Sequence, residues 1–274
     1  MAGEAERNQP LVVVITVSLD QAAGLEETIK SVLAQTYPCI EYIVVDGGSK
    51  DRSREIISKY SEKITKWLSE PDRGIYDAMN KGVAMGTGEW VIFMNAGDCF
   101  IDHGVVQEIF TPSRKEVDLI YGNHNVLYAD GFERLQCAGE MDDIWKGMIF
   151  SHQAVFSRIE LLKKHPFSVT DPIGADFEML FAACKSGARF CKSNVVIAKI
   201  RSQGLSDSDR FHSIISHWRV VRRYQDDFRI AIFYAVAIID MLARQLTKKI
   251  LPSAWTLRII KFKYRYLIKG AQRN

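Results

Sequence analysis

Residues 11–17 (LVVVITV) form an unbroken apolar, β-branched run, the pattern of a strand buried on both faces of a parallel sheet. Apolar positions then recur at helical spacing, at Leu25, Ile29, Val32 and Leu33, and stop before Pro38. A second strand-like run at 42–45 leads into Asp46-Gly47-Gly48-Ser49 and completes a strand–helix–strand unit. The alternation continues with a predicted helix at 54–60, strand at 64–68, helix at 75–84 and strand at 90–94. It predicts an α/β fold, a mixed and mostly parallel sheet with flanking helices, in which ligands bind at the carboxyl ends of the strands.

From Asp118 the pieces shorten. Strand-like stretches at 119–121 and 126–128 carry turn signals at Gly122-Asn123 and Asp130-Gly131. A helix at 175–185 and a strand at 195–200 follow, and beyond Ser208 the signal is helical, with Pro252 dividing it. The predicted organisation is a polar segment at 1–10, a catalytic domain at 11–207 and a helical extension at 208–274.

Composition changes this picture in two places. The first ten residues lack the basic flank and apolar run of a secretory signal, and the five cysteines are odd in number and without a C-x-x-C pair. Both features point to a cytoplasmic protein with reduced thiols. Charge is unevenly placed: residues 241–274 hold nine Lys and Arg and no Asp or Glu, so the remainder of this +3 chain carries −6. Within that tail Arg258, Lys261, Arg265 and Lys269 fall on one helical stripe among Trp255, Leu257, Ile260 and Phe262, although 261–266 (KFKYRY) also alternates as a strand would. The expected partner of residues 244–273 is an anionic membrane surface, reached from the cytoplasmic face, and no nucleic acid. The uncharged stretch at 230–239 is only ten residues long, short of the roughly twenty that span a bilayer, so it packs on the body or lies in a lipid interface.

Three carboxylates follow predicted strand ends: Asp46, Asp72 and Asp98. A parallel sheet would gather them at one edge, where a nucleotide and a metal ion could be held together. Each taken alone is better explained as a helix cap or turn former.

The wording of these segments goes further. VITVS at 14–18, SVLAQTY at 31–37, EYIVVDGGSKD at 41–51, SEPDRGIYDAMNKG at 69–82 and GEWVIFMNAGD at 88–98 resemble, in order and spacing, the donor-site motifs of family 2 glycosyltransferases with a GT-A fold. The resemblance runs from residue 11 to about 201 and is strongest to about residue 100. It implies a donor half at 11–100, an acceptor half at 101–207 and an inverting transfer from a nucleotide-diphosphate sugar, UDP-linked by preference and GDP-linked otherwise. The acceptor would be a glycan or a lipid-linked molecule, as in the bacterial surface-polysaccharide members of the family.

By that resemblance Thr16 lies by the nucleotide, and Asp46, an acceptor only, takes a hydrogen bond from base or ribose. Asp72 and Arg73 flank base and phosphates, with Arg73 able to fork onto a phosphate. Asn95 to Asp98 (NAGD) stand where the family has its D-x-D metal signature, so Asp98, with the carbonyl oxygen of Asn95, would hold Mn²⁺ or Mg²⁺ against the diphosphate. Asp176, in IGADFEML, is the candidate general base, with Glu178 its rival and a plain helix N-terminal carboxylate the structural alternative. His152, in Ser151-His152-Gln153, is a candidate sugar or diphosphate contact. Two departures stand out. Leu19-Asp20 replaces the common Tyr-Asn, and the Q-x-x-R-W motif and membrane spans of processive synthases are missing, which predicts one sugar per acceptor. A non-catalytic subunit keeping the same fold is the main rival reading; a dehydrogenase is disfavoured because no G-x-G-x-x-G follows the first strand.

Overall fold

A computed structural model of the chain describes residues 9–250, apart from 113, 115, 172 and 203–209. The basic stripe anticipated between Arg258 and Lys269 lies outside the described residues.

The first strand, β1 (Val12–Ser18), is buried along its whole length, and its side chains alternate between two cores. Val12 and Val14 face one layer, with α1 (Ala22–Leu33), Ile57 of α2 (Ser53–Tyr60) and the short α4 (Val105–Phe110). Val13, Ile15 and Val17 face the other, with α3 (Ile75–Met85), α5 (Ile159–Lys164) and α6 (Ala175–Lys185). A continuous hydrophobic run is what a strand covered on both faces requires. Parallel neighbours β2 (Ile40–Asp46), β3 (Lys66–Ser69) and β4 (Trp90–Phe93) extend the sheet from β1. Because β2 lies on one side of β1 and β4 on the other, strand order reverses at β1, which opens a crevice beyond its carboxyl end.

The remaining strands are β5 (Cys99–Phe100), β6 (Leu119–Leu127), β7 (Glu133–Gln136), β8 (Val155–Arg158) and β9 (Phe190–Arg201). They complete a nine-stranded sheet in the order β3-β2-β1-β4-β8-β6-β9-β5, with β7 paired to β6. β1, β2, β3, β4, β6 and β9 run in one direction and β5, β7 and β8 in the other.

One sequence expectation is corrected here. Gly122-Asn123 is no turn between two strands; it is a bulge inside β6, where the register against β9 shifts. The missing Cβ of Gly122 admits the Val195 carbonyl, and the Asn123 side chain donates to Asn194 O (2.9 Å) and accepts from Ala138 N (2.9 Å). Turn-forming residues thus serve to bend a strand. Asp130-Gly131 does form the expected turn, joining β6 to β7 with Gly131 at φ +80°.

Two further helices, α7 (Arg210–Tyr224) and α8 (Phe228–Ile250), pack through Val220, Val221, Ile230 and Tyr234 onto Phe177 and Phe181 of α6. The helical extension is therefore seated directly on the helix that carries Asp176.

Candidate active site

At the crevice, the last residues of β1, β2 and β3 stand side by side, Ser18 opposite Asp46 and Asp46 opposite Ser69. Asp46 is fully buried, and its carboxylate accepts hydrogen bonds from the Ser49 hydroxyl, the Ser49 N–H (3.1 Å) and the Ser69 hydroxyl (2.7 Å). Asp72 accepts from Gly74 N–H (2.8 Å) and presses against Gly47, where a Cβ would stand 2.4 Å from its Oδ2. These contacts bind the loop after β3 to the end of β2. The Arg73 guanidinium is exposed and donates to Asp77 of α3 (2.8 Å). Thr16 sits inside the sheet rather than at its edge, fully buried and hydrogen-bonded to the Tyr42 hydroxyl (3.0 Å). Two residues on, the buried Ser18 hydroxyl has no partner among the described residues. Ser18 was not singled out from the sequence, although it closes the VITVS motif.

The loop after β4 is held from below by α1. Thr28, buried in that helix, donates to Asp98 O (2.7 Å) and accepts from Gly97 N–H (3.0 Å). Gly24 and Gly97 approach so closely that a Cβ on Gly24 would lie 2.9 Å from Gly97 N, and Gly97 itself turns at φ +97°. Asp98 is buried; Gln153 Nε2 donates to its Oδ2 (2.9 Å) and the Arg201 N–H to its Oδ1 (3.2 Å). Burial pushes its carboxyl up to about 6, which Gln153, His152 and Arg201 only partly offset.

From this loop a row of side chains crosses to the other half of the crevice. Asn95 Nδ2 meets His152 Nε2 at 3.1 Å, and His152 Nδ1 meets Asp176 Oδ2 at 3.2 Å. With the Asn95 NH₂ as donor, Nε2 accepts and the ring proton is on Nδ1, facing the carboxylate. Asp176 lies in the first turn of α6 and accepts from Phe177 N–H (2.8 Å). Burial would raise its carboxyl, but the bond from His152 and the Phe177 N–H hold it below the ordinary aspartate range. Tyr76 also faces Asp176, and burial with that negative charge drives its phenol far up. The rival carboxylate, Glu178, is paired with Arg223 of α7.

α7 forms a roof over this end. Ser216 donates to Asp171, which also accepts from Ile173 N (3.1 Å) and Gly174 N (3.0 Å). His217 lies against Phe177, with ring centroids 4.2 Å apart and the rings tilted by 42°, and burial pushes it down to about 4, leaving it neutral. Neither residue was singled out from the sequence, where the helical signal past Ser208 reads as an extension. A surface depression lined by Glu89, Arg158 and Lys164 lies at the opposite, amino-terminal end of β4 and holds none of these groups.

The structure thus joins Asn95, Asp98, His152 and Asp176 into one cluster, while Asp46, Asp72 and Arg73 flank the neighbouring strand ends. Among the described residues no three His, Cys, Asp or Glu side chains converge on a metal site. Asp98 and the Asn95 Oδ1, which is buried without a partner, nevertheless fit a hard divalent ion that draws the rest of its shell from a diphosphate and water.

The profile of glycosyl transferase family 2 matches residues 13–166, more than half of the chain. The chain belongs to this family. An uncharacterized glycosyltransferase of Mycobacterium tuberculosis is 44% identical over 100 residues, 36% of this chain and 38% of the relative. A PGL/p-HBAD biosynthesis glycosyltransferase of Mycobacterium bovis is 30% identical over 154 residues, 54% of this chain and 59% of the relative. The matched segment thus spans about two to three fifths of these relatives' length. The GT-A fold recurs in a mannosyltransferase of Pyrobaculum calidifontis solved with GDP-Man and Mn²⁺ (TM-score 0.63, 18% identity, 98% of this chain and 88% of that one). It recurs again in residues 1–349 of S. aureus TarS with UDP-GlcNAc (TM-score 0.60, 16% identity, 82% and 70%). Asp176 and the α7 roof lie past the end of the family match.

Proposed function

We propose that this family 2 chain is a glycosyltransferase that moves one hexosyl or N-acetylhexosaminyl unit from a nucleotide-diphosphate sugar to a glycan or lipid-linked acceptor, with inversion. Residues 11–100 act as the donor half and 101–207 as the acceptor half, on the cytoplasmic side. UDP is favoured over GDP by the motif resemblance; the structural neighbours bound to UDP-GlcNAc and to GDP-Man are consistent with either. The observation that carries the reading is the hydrogen-bonded row Asn95–His152–Asp176, which runs from the loop beside Asp98 to the first turn of α6.

In this reading the edge formed by Ser18, Asp72 and Arg73 receives the nucleotide, and Asp46 stiffens that edge from within. Asp98 and Asn95 Oδ1 hold a divalent ion, Mn²⁺ or Mg²⁺, which when bound offsets the charge growing on the departing diphosphate. Asp176 is ionised at neutral pH and takes the proton of the attacking acceptor hydroxyl. His152, its Nδ1–H on Asp176, fixes the direction of that carboxylate, while Asn95 keeps the imidazole in the required tautomer.

The test is release of nucleoside diphosphate from a panel of UDP- and GDP-sugars, with and without Mn²⁺, by wild type and Asp98→Ala of matched thermal stability. Metal-dependent release from one donor, abolished in the variant, establishes reaction and donor together. Silence across the panel, without thermal stabilisation by UDP or GDP, favours a non-catalytic subunit of the same fold.

A further inference from the structure

α8 is apolar on two opposite faces, and only one of them is covered. Ile230, Tyr234 and Met241 are buried against the body. On the other side Phe228, Ile232, Val236, Ile239, Leu242 and Leu246 are each between 47% and 70% exposed. Their spacing of four, four, three, three and four residues sets them on one stripe about 27 Å long. A helix with apolar residues on both faces is ordinarily buried on both, and contiguous exposed apolar surface marks an interaction site.

Charge identifies the occupant. From Arg210 to the end the sequence has fourteen Lys and Arg against three Asp, whereas the preceding 209 residues have 22 against 30. Nine of those basic residues follow Asp240, in the stretch that begins within the stripe. A second copy of the chain, or residues 251–274 folded back, would cover the apolar stripe and leave this charge without a use. An anionic lipid surface answers both features, the stripe entering the headgroup boundary and the basic residues meeting the phosphates. No described helix is long and apolar enough to cross a membrane, so the contact lies along the surface.

We propose that the exposed face of α8, from Phe228 to Leu246, is a docking surface for an anionic lipid bilayer. The inference makes no use of the transferase reading, and the two fail separately.

Vesicle flotation of the full chain tests it, with phosphatidylcholine alone and with phosphatidylglycerol as about a third of the lipid. Wild type is expected to float with the anionic vesicles, less so at high salt, and to stay behind with the neutral ones. Replacing Ile232, Val236 and Ile239 together by Ser should lower the partition coefficient about 1,000-fold, since each aliphatic side chain kept out of the bilayer costs about tenfold. All three are solvent-facing, so thermal unfolding should be unchanged. Wild type that never floats overturns the proposal, as does a triple variant that floats equally well. A wild-type dimer that the triple variant converts to monomer in light scattering also overturns it, and reassigns the stripe to self-association.

Discussion

The two sides of the crevice are built differently. At the proposed nucleotide edge, the partners of Asp46 and Arg73 are close in sequence: Asp46 bonds to residues 3 and 23 positions away, and Arg73 to one 4 positions away. The links that reach into or lie within the proposed acceptor half span 24 positions from His152 to Asp176, 45 from Asp171 to Ser216, and, crossing from the Asp98 loop, 55 to Gln153 and 103 to Arg201. The donor edge is a product of successive strand–helix units, each carrying its own loop. The acceptor edge exists only once β8, β9 and α7 have closed over it, so its geometry depends on the whole fold. Binding and turnover should accordingly be separable by substitution.

The largest expected effect is that of Asp176→Asn. Asn fills the same space and keeps an oxygen for His152 Nδ1–H, yet it cannot take a proton. Turnover should fall about 1,000-fold, equivalent to about 4 kcal/mol of barrier, as removal of a general base requires. UDP affinity, measured by titration calorimetry, should stay within about twofold. An equal loss of UDP affinity would mean that the two sides are one energetic unit.

Stability divides along the same line. Glu41, 4% exposed, accepts from Lys66 Nζ (2.7 Å), Thr87 N (2.7 Å), the Thr87 hydroxyl (3.0 Å) and Gly88 N (3.1 Å), and so joins β2, β3 and the loop before β4. Glu41→Gln breaks an ion pair whose carboxylate is buried and whose Lys66 side chain is 38% exposed, and should cost about 2 kcal/mol at neutral pH in urea denaturation. Burial raises this carboxyl, but Lys66 and the Thr87 donors outweigh it and hold its pKa below the ordinary glutamate value. Its contribution is therefore complete above that ordinary value and is lost as pH falls through the lowered one, so the gap between wild type and variant should close on acidification. On the acceptor side Gly174→Ala should cost about 2 kcal/mol, because the new Cβ would lie 1.9 Å from Ser216 Oγ and lever α7 off α6. Gly174 has φ −115°, which alanine tolerates, so adding Ser216→Gly should restore most of the loss. Failure of that rescue would remove the roof from the account of the acceptor edge.

This difference in construction also decides what could be read in advance. The first four strands and the helices between them were legible because each buries its own periodic face, and Asp46, Asp72 and Asp98 could be placed at one sheet edge because parallel strands end together. Asn95, His152 and Asp176 were picked individually by motif, but their hydrogen-bonded row was not visible, since it needs the antiparallel β8 inserted beside β4. Short elements escaped for want of a full period: β5 has two residues, β8 four, and α4 and α5 six each. Gly122-Asn123 misled because a bulge and a turn ask for the same residues. The roles of Ser216 and His217 carry no local signal at all, being defined wholly by what α7 packs upon.

The smallest effect gives the finest test of the donor side. Arg73 is 73% exposed at its side chain and pairs with Asp77, an arrangement worth little in water, so Arg73→Ala should change unfolding free energy by less than about 0.5 kcal/mol. UDP affinity should nevertheless fall about tenfold, some 1.4 kcal/mol, because a guanidinium forked onto a phosphate is held by charge on both partners. Asp77→Asn removes the competing carboxylate and releases the same guanidinium, so it should leave UDP affinity intact or raise it, and the opposite signs of the two variants would exclude a general electrostatic effect. If neither variant changes UDP affinity, the Arg73–Asp77 pair belongs to the surface of α3 alone. The phosphates would then be held by backbone and hydroxyl groups around Ser18, and the donor edge would owe its binding to the ends of its strands rather than to the loop after β3.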